Sequence, residues 1–149
     1  MPVRIAPESP LTADGLALIA ASQRALEAVY PPDAIFSFSP EELATPGVTF
    51  LVARDGSPLG CVAMVDCGEY VEVKRLFVPA HGRGRGLARA LMAALEDRAK
   101  AAGKSCLRLE TGDDLVAAVA LYRAVGFVVC GPFGAYPAHP ASLFMEKPL

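Results

Sequence analysis

The sequence predicts a mixed α/β fold, in which helices flank a central β-sheet. Short apolar segments with strand periodicity alternate along the chain with amphipathic segments of helical periodicity. Several of the predicted strands follow one another through short turns, which is the pattern of antiparallel hairpins. The chain of 149 residues contains no internal repeat, low-complexity tract or linker, so residues 1–149 are expected to form a single domain.

The first third of the chain is predicted to contain one strand, one helix and an irregular segment. The strand covers residues 3–5, and the helix covers residues 12–29 with Thr12 as its N-cap. The apolar face of this helix is predicted to consist of Leu16, Ile19, Leu26 and Val29. Four prolines make residues 31–47 irregular, apart from one expected turn of helix at residues 40–43.

The middle of the chain is predicted to form three consecutive strands, at residues 49–54, 59–65 and 70–78. A short turn that contains Gly and Pro joins the first two strands. In the third strand, Lys74 and Arg75 interrupt the alternation of Val71 and Val73 before apolar residues resume. Such an interruption predicts a β-bulge at this point.

The remainder of the chain is predicted to alternate between helices and strands. The next helix carries Leu or Ala at every fourth residue, at Leu87, Leu91, Leu95 and Ala99. Gly103 fits the C′ position that ends such a helix. Further strands are predicted at 106–110, 127–130 and 142–146, with a helix at 115–125 and a loop at 131–141.

Composition and charge exclude several classes of function. The net charge of −2 argues against a general nucleic-acid-binding protein. Charged residues, Gly or Pro interrupt every apolar window before it reaches the length of a membrane span. The N-terminus lacks the apolar core of a signal peptide, so a cytoplasmic protein is expected.

The four cysteines are expected to be buried, reduced thiols. Cys61, Cys67, Cys106 and Cys130 all lie in apolar segments, and they form no C-x-x-C pair. The two histidines, His81 and His139, do not lie at ligand spacing from a cysteine. A metal site is therefore not expected.

The segment HGRGRGLA at residues 81–88 places three glycines and two arginines between a predicted strand and a predicted helix. The first N–H groups of a helix have no intrahelical partners, and the helix dipole adds partial positive charge there. Because glycine lets the backbone approach a ligand closely, we interpret the segment as an anion site, most naturally for phosphates. The alternative is a flexible loop with two solvated arginines, since the spacing matches neither a Walker loop nor G-x-G-x-x-G.

This segment resembles the acyl-CoA pyrophosphate loop of the GNAT superfamily of N-acetyltransferases. The family signature Gln/Arg-x-x-Gly-x-Gly/Ala corresponds here to Arg83-Gly84-Arg85-Gly86-Leu87-Ala88. The order of elements fits over nearly the whole chain, and LYRAVGF at 121–127 matches a common ending of the family's fourth helix. The segments EVKRLFV, LRLETG and SLFMEK resemble those of a group of small bacterial acetyltransferases.

The resemblance implies a mixed, mostly antiparallel sheet and a single-step transfer of an acetyl group from acetyl-CoA to an amine. The glycine-containing loop would bind the pyrophosphate, and the backbone of Leu76, Phe77 and Val78 would hold the pantetheine arm. The acceptor is expected to be a primary amine of a small molecule, an amino acid or a peptide. Whether the protein is a monomer or a homodimer is left open.

Two side chains are candidates for catalysis. An alkyl amine is mostly protonated at neutral pH, which is a handicap of roughly 4–5 kcal/mol and favours the presence of a base. The resemblance implies that Glu72 is this base; the alternative is an ion pair with Lys74 or Arg75, or exposure to solvent. It also implies that Tyr122 gives a proton to the leaving thiolate; the alternative is a core-filling role.

The sequence identifies the residues of the acceptor-binding site less clearly than those of the cofactor-binding site. Side chains in two Pro-rich loops could line a pocket or could anchor the loops to the core, namely Tyr30, Phe36, Phe38, Glu41, Phe133, Tyr136 and His139. Leu115 stands where many relatives have an asparagine, and Glu110 is another carboxylate that could act as the base. The resemblance to the small bacterial acetyltransferases also leaves open a structural or acceptor-binding role for Glu72 and Glu110. Two rival functions are a catalytically silent acetyl-CoA-binding module and a nucleic-acid-binding module, which the net charge disfavours.

None of the cysteines is expected to carry the acyl group, because all four are assigned to apolar segments. Each single Cys→Ala variant should therefore keep most of the parent's turnover, measured as acetyl-CoA-dependent thiol release. A variant that still folds, as judged by circular dichroism, but has lost turnover would instead require a ping-pong route through that thiol.

Overall fold

The computed structural model describes residues 2–149, and these form one seven-stranded sheet with helices on both faces. The strands are β1 (Arg4–Pro7), β2 (Val48–Arg54), β3 (Pro58–Asp66), β4 (Tyr70–Phe77), β5 (Cys106–Thr111), β6 (Val128–Cys130) and β7 (Leu143–Pro148). The helices are α1 (Ala13–Glu27), α2 (Pro40–Leu43), α3 (Leu87–Ala101) and α4 (Val116–Ala124), and Pro32–Ala34 and Ala80–Gly82 form short 3₁₀ turns.

The sheet is mixed and mostly antiparallel, as predicted. Its strand order is β1-β2-β3-β4-β5-β7-β6, and among residues 2–149 only the β4–β5 pair is parallel. This parallel pairing is short, since it runs from Tyr70 opposite Cys106 to Glu72 opposite Arg108. Beyond that point β5 continues beside β7 as far as Thr111, whereas β4 has no partner on that side. The two strands therefore part at the middle of the sheet.

Each face of the sheet is covered by its own apolar cluster. The α3 helix buries the four side chains predicted for its apolar face, Leu87, Leu91, Leu95 and Ala99. On the opposite face, Leu18 and Ile19 of α1 and Leu43 of α2 pack against Phe50 and Val52 of β2. A fully buried leucine or isoleucine stabilises the fold by about 1.5–3 kcal/mol, so these contacts hold both layers firmly on the strands.

The α1 helix begins as predicted but turns a different face to the core. Thr12 is its N-cap, and the Thr12 Oγ1 atom accepts a hydrogen bond of 3.0 Å from the Gly15 amide. The predicted apolar face is confirmed for Ile19, and Leu26 is half-buried, but it is wrong for Leu16 and Val29, which are exposed. The buried positions are instead Gly15, Leu18, Ile19 and Ser22, which also have helical spacing but include two residues with no apolar side chain.

The bulge predicted in β4 is confirmed, and Arg75 lies at its centre. Opposite β3, Cys61 pairs with Phe77 while Ala63 pairs with Lys74, so β4 has an extra residue between them. Arg75 has a φ of 55°, a left-handed conformation that costs a residue with a side chain about 1–2 kcal/mol.

The hydrogen bonds of the half-buried Arg75 side chain offset this backbone strain. Its guanidinium donates to the Phe38 carbonyl at 3.0 and 3.2 Å, to Gln23 Oε1 at 2.8 Å and to Ser22 Oγ at 3.3 Å. One side chain thus ties α1 and the segment before α2 to the bulge.

Most remaining predictions for the elements are confirmed within one to three residues. The expected helical turn before β2 is α2, and the segment around it is otherwise irregular apart from the first 3₁₀ turn. Gly103 follows α3 with a φ of 74°, which suits a C′ residue. None of the helices in the part of the chain described is long and apolar enough to cross a membrane.

The prediction that all four cysteines are buried is wrong for three of them. Cys61 is fully buried in β3, and this burial raises the pKa of its thiol to about 12. Cys67, Cys106 and Cys130 are only half-buried. They lie in the β3–β4 turn, at the start of β5 and at the end of the edge strand β6, where apolar neighbours in sequence do not guarantee a covered position. All four are free thiols.

The contacts of Arg75 predict a large effect on stability. An Arg75→Met variant keeps most of the side-chain volume but leaves the Phe38 carbonyl without its guanidinium donor and Gln23 Oε1 with only the Ser37 hydroxyl, so the free energy of unfolding should fall by ~2 kcal/mol. Urea denaturation followed by circular dichroism measures the loss. Arg24→Met is the matched control, because Arg24 is exposed on α1 and its loss should stay within ~0.5 kcal/mol. Equal losses in both variants would contradict the anchoring role.

Candidate active site

The parting of β4 and β5 opens a cleft of about 400 Å³ in the middle of the sheet. One wall is the β4 segment from Val73 to Phe77, which includes the bulge. The other wall is formed by Glu110 and Thr111 at the end of β5, together with Leu115, Val116, Ala117, Ala118 and Tyr122 around α4. The end of α1 and residues 34–38 close one end, and Arg83 stands at the other.

The glycine loop at the Arg83 end has open space where a ligand would lie. Gly84 and Gly86 have φ values of 80° and 70°, and a Cβ atom added to either would meet no atom within 4 Å. Gly86 is the N-cap of α3 and supplies no side-chain acceptor, so the first N–H groups of the helix are left for another partner. Leu87 is buried in the core, which fixes the direction in which α3 leaves the loop.

Gly82 has a different role from the other two glycines of the loop. A Cβ atom there would lie 2.4 Å from the carbonyl oxygen of Leu59, so only glycine allows the turn to pack against β3. The turn that precedes the loop is thereby packed against the sheet, which fixes the position from which Gly84 and Gly86 extend.

The two arginines of the loop are not equivalent. Arg83 is exposed, borders the cleft and has its Nε atom 3.4 Å from the Val78 carbonyl. Arg85 forms an ion pair of 2.8 Å with Asp55 in the β2–β3 turn, and this hydrogen bond lowers the pKa of Asp55. Arg83 is therefore better placed than Arg85 to meet an anion, although both were predicted to do so.

The position of Tyr122 is compatible with both roles that the sequence left open, a proton donor and a core-filling side chain. It is buried, its ring centroid lies 5.7 Å from that of Phe127, and it also lines the cleft close to Ala118. Burial, and to a smaller extent the negative charge of Glu110, raise the pKa of its hydroxyl well above the usual value. Tyr122 therefore remains protonated at neutral pH, as a proton donor must.

Glu72 is buried and already has two partners. Its carboxylate accepts a hydrogen bond from the Tyr136 hydroxyl and forms an ion pair of 3.4 Å with Lys74 Nζ. Lys74 Nζ in turn donates to the Tyr136 hydroxyl at 2.6 Å and to the Phe36 carbonyl at 3.3 Å. Glu72 is not among the side chains that line the cleft. The ion pair with Lys74 that sequence reasoning gave as the alternative is present, and the role of Glu72 as a base stays a prediction.

Glu110 is the carboxylate that borders the cleft. It is half-buried and accepts a hydrogen bond of 2.8 Å from Ser142 Oγ, and it forms no ion pair among residues 2–149. Burial raises the pKa of Glu110 above its ordinary value. One signal in the sequence points to this position: Leu107 and Leu109 face the α3 side of the sheet, so the alternation of β5 turns Glu110 to the opposite side.

The aromatic side chains of the two loops divide between lining and anchoring. Tyr30, Phe36 and Phe38 line the cleft, as one of the two interpretations predicted. Phe133, Tyr136 and His139 do not line it; the first is buried, the second contacts Glu72, and the third lies 3.4 Å from an oxygen of Asp33. Glu41 lies exposed on α2 and does not reach the cleft. In the part of the chain described, no group of His, Cys, Asp or Glu is arranged to hold a metal ion.

The architecture around this cleft is that of a known enzyme family. The chain belongs to the acetyltransferase (GNAT) family, whose model matches residues 16–127. It is 46% identical over 150 residues to an IAA acetyltransferase of Azospirillum brasilense, with 99% of this chain and 98% of the relative covered. The predicted family and the predicted enzyme class are thereby confirmed.

Solved structures confirm the fold class. A crystal structure described as that of an acyl-CoA N-acyltransferase from Klebsiella pneumoniae superposes with a TM-score of 0.82 at 34% identity, over 99% of this chain and 97% of that chain. The PaiA N-acetyltransferase of Thermoplasma acidophilum, solved in complex with coenzyme A, has a TM-score of 0.77 at 19% identity, with both chains fully covered. The second similarity concerns the fold alone.

A substitution that fills the open space at the glycine loop tests whether acetyl-CoA binds there. Gly86→Val should reduce acetyl-CoA affinity at least tenfold in calorimetry, because a branched side chain would occupy the space above the loop and strain the left-handed backbone. Gly103→Val is the matched control, since Gly103 has nearly the same φ, equally open surroundings and a place at the other end of α3. If both variants bind acetyl-CoA as the parent does, the pyrophosphate lies elsewhere.

Proposed function

We propose that this acetyltransferase transfers the acetyl group of acetyl-CoA directly to a primary amine of a small molecule or peptide. The observation that carries the proposal is the continuous cleft that leads from Arg83, where the glycine loop begins, along the parted edge of β4 to Tyr122 and Glu110. A cleft of this kind brings a thioester, a proton donor and a carboxylate together without any covalent intermediate on the enzyme.

Acetyl-CoA fits the groups that the cleft leaves without partners. Leu76, Phe77 and Val78 follow the point at which β4 loses β5, so the backbone groups on that side of the chain are available to the amides of the pantetheine arm, while Phe77 pairs with Cys61 on the other side. At the other end, the loop from Arg83 to Ala88 offers free N–H groups, open space and positive charge to the pyrophosphate. We assign these residues to cofactor binding.

We assign removal of the amine proton to Glu110 in preference to Glu72. An ammonium that enters the cleft would meet the Glu110 carboxylate, which has no cation of its own, whereas Glu72 is enclosed by Tyr136 and Lys74. Raising the pKa of a carboxylate by burial makes it a better base toward an amine. Glu72 then acts indirectly, by holding Lys74 and Tyr136 in place.

We assign to Tyr122 the proton that the thiolate of coenzyme A takes up as the carbon–sulfur bond breaks. Its hydroxyl is protonated at neutral pH and borders the same cleft as Glu110. The amine nitrogen forms the new bond to the acetyl carbon, its proton goes to Glu110, and the thiolate receives the Tyr122 proton. The cytoplasmic location and the oligomeric state stay predictions from the sequence.

Acetyl-CoA-dependent thiol release over a panel of amines tests the proposed function. IAA is tested beside the amines as a separate acceptor, because the Azospirillum relative named for it is 46% identical over nearly the whole chain. Release that requires an amine and yields its N-acetyl product supports the proposal. Binding of acetyl-CoA without turnover on any acceptor would favour the silent acetyl-CoA-binding module.

The pH dependence of the rate distinguishes the two carboxylates. Glu110→Gln should lower kcat/KM by ~10²–10⁴-fold, most strongly at low pH, and the loss should shrink as pH rises and free amine accumulates. In the parent, activity should fall as pH drops through the pKa of Glu110, because only the ionised form accepts a proton. Since burial raises that pKa, the acid limb should lie above the usual range for glutamate. A pH–rate profile with one acceptor measures both effects.

Glu72→Gln and Tyr122→Phe provide the comparisons for this profile. Glu72→Gln should cause a smaller loss that does not vary with pH, and the loss in Tyr122→Phe should depend on the leaving thiol more than on the acceptor. All three variants should bind acetyl-CoA within a few-fold of the parent. If Glu110→Gln keeps a full, unshifted profile while Glu72→Gln shows the pH-dependent loss, the base is Glu72.

A further inference from the structure

We propose that the natural acceptor is a primary amine whose body is apolar and carries no carboxylate. The proposal rests on the amine transfer proposed above and narrows it to one class of amines. It is carried by the apolar lining at the α1 end of the cleft, by the internal partners of Lys74 and Arg75, and by one carboxylate, Glu110, that forms no ion pair among residues 2–149.

The α1 end of the cleft, opposite the glycine loop, is lined mainly by apolar side chains. They come from the end of α1 and the segment that follows it: Ala25, Leu26, Ala34, Ile35, Phe36 and Phe38. The ring of Tyr30 also lines this end. It is held in place by its hydroxyl, which accepts a hydrogen bond of 3.2 Å from the Asp114 amide at the β5–α4 turn. A surface of this composition favours a hydrocarbon group that leaves water on binding.

The cations at the cleft are already used within the protein. Lys74 is paired with Glu72 and bonded to Tyr136. The guanidinium of Arg75 donates to the three acceptors of α1 and the following segment described above. Arg83 lies at the glycine loop, where the pyrophosphate is proposed to bind. None of these side chains is left to neutralise a carboxylate at the α1 end.

Glu110 makes the cleft favourable to a positively charged group, whereas the preceding side chains leave it unfavourable to a carboxylate. Its carboxylate accepts one hydrogen bond from Ser142 and has no ion pair among residues 2–149. Lys74 and His139 act on it only from beyond ion-pair distance, so a protonated amine would be the first cation in direct contact with it. An acceptor with a carboxylate next to its amine would bring like charges together and find no cation to offset them. The site therefore selects against amino acids by repulsion as well as for amines by attraction.

Three acceptors with the same phenyl ring test this preference on the full-length protein. They are 2-phenylethylamine, L-phenylalaninol and L-phenylalanine, and kcat/KM is measured by thiol release. L-Phenylalaninol is the matched control, because its hydroxymethyl group is about as large as a carboxylate but uncharged. We expect L-phenylalanine to be at least tenfold poorer than L-phenylalaninol, which should stay within a few-fold of 2-phenylethylamine. Ethanolamine, which lacks the apolar body, should be at least tenfold poorer than 2-phenylethylamine.

Two substitutions locate the discrimination. Glu110→Gln removes the repulsion, so the ratio of kcat/KM for L-phenylalaninol to that for L-phenylalanine should fall toward one even though both rates fall. Ile35→Lys adds a cation at the α1 end and should raise the relative kcat/KM for L-phenylalanine, whereas Ile35→Gln should not. If the lysine variant does not fold, the ratio in Glu110→Gln still decides.

The outcomes separate this inference from the proposed function. If L-phenylalanine is acetylated as well as L-phenylalaninol, or ethanolamine as well as 2-phenylethylamine, the inference is wrong while amine transfer stands. If no amine yields an N-acetyl product, the proposed function fails. Calorimetry with the CoA-saturated protein then measures the affinity of the cleft for the same acceptors, independently of turnover. Tighter binding of 2-phenylethylamine than of L-phenylalanine would support the preference, and equal binding or none would overturn it.

Discussion

The separation of β4 from β5 after three paired residues is the constraint on which the rest of the site depends. Parallel neighbours in a sheet normally share hydrogen bonds along their length, and here Glu72 and Arg108 are the last pair. The bulge at Arg75 redirects β4, and the guanidinium holds it in that course through α1 and the segment before α2. The same side chain thus positions part of the lining of the cleft that opens where β4 and β5 part.

The two ends of the cleft are formed by different kinds of groups, backbone at one end and side chains at the other. The end at the glycine loop relies on backbone: positive φ values at Gly84 and Gly86, free N–H groups at the start of α3, and a strand edge without a neighbour. The α1 end relies on side chains from segments that pack on the sheet from outside. Substitutions at the α1 end can therefore change the acceptor without disturbing the groups proposed to bind the cofactor.

Local patterns were sufficient for the elements but not for the arrangement of the site. The four-residue repeat of α3, the N-cap at Thr12 and the interrupted alternation of β4 all have direct physical signatures in the sequence. The buried face of α1 could not be predicted, because Gly15 and Ser22 contribute no apolar signal. The different access of Glu72 and Glu110 depends on where β4 leaves β5 and on how the loop that carries Tyr136 folds back, and both are long-range events.

The electrostatic coupling of Glu110 and Tyr122 has a consequence for the order of events in the proposed reaction. Burial is the main cause of the raised pKa of Tyr122, and the negative charge of Glu110 raises it further while that carboxylate is ionised. Once Glu110 has taken the proton of the attacking amine, that charge is gone and the phenol becomes a stronger acid. Tyr122 is then most ready to release its proton when the thiolate departs. In the proposed reaction, the electrostatic interaction between these two side chains would thus link proton uptake by Glu110 to proton release by Tyr122 without any movement of the backbone.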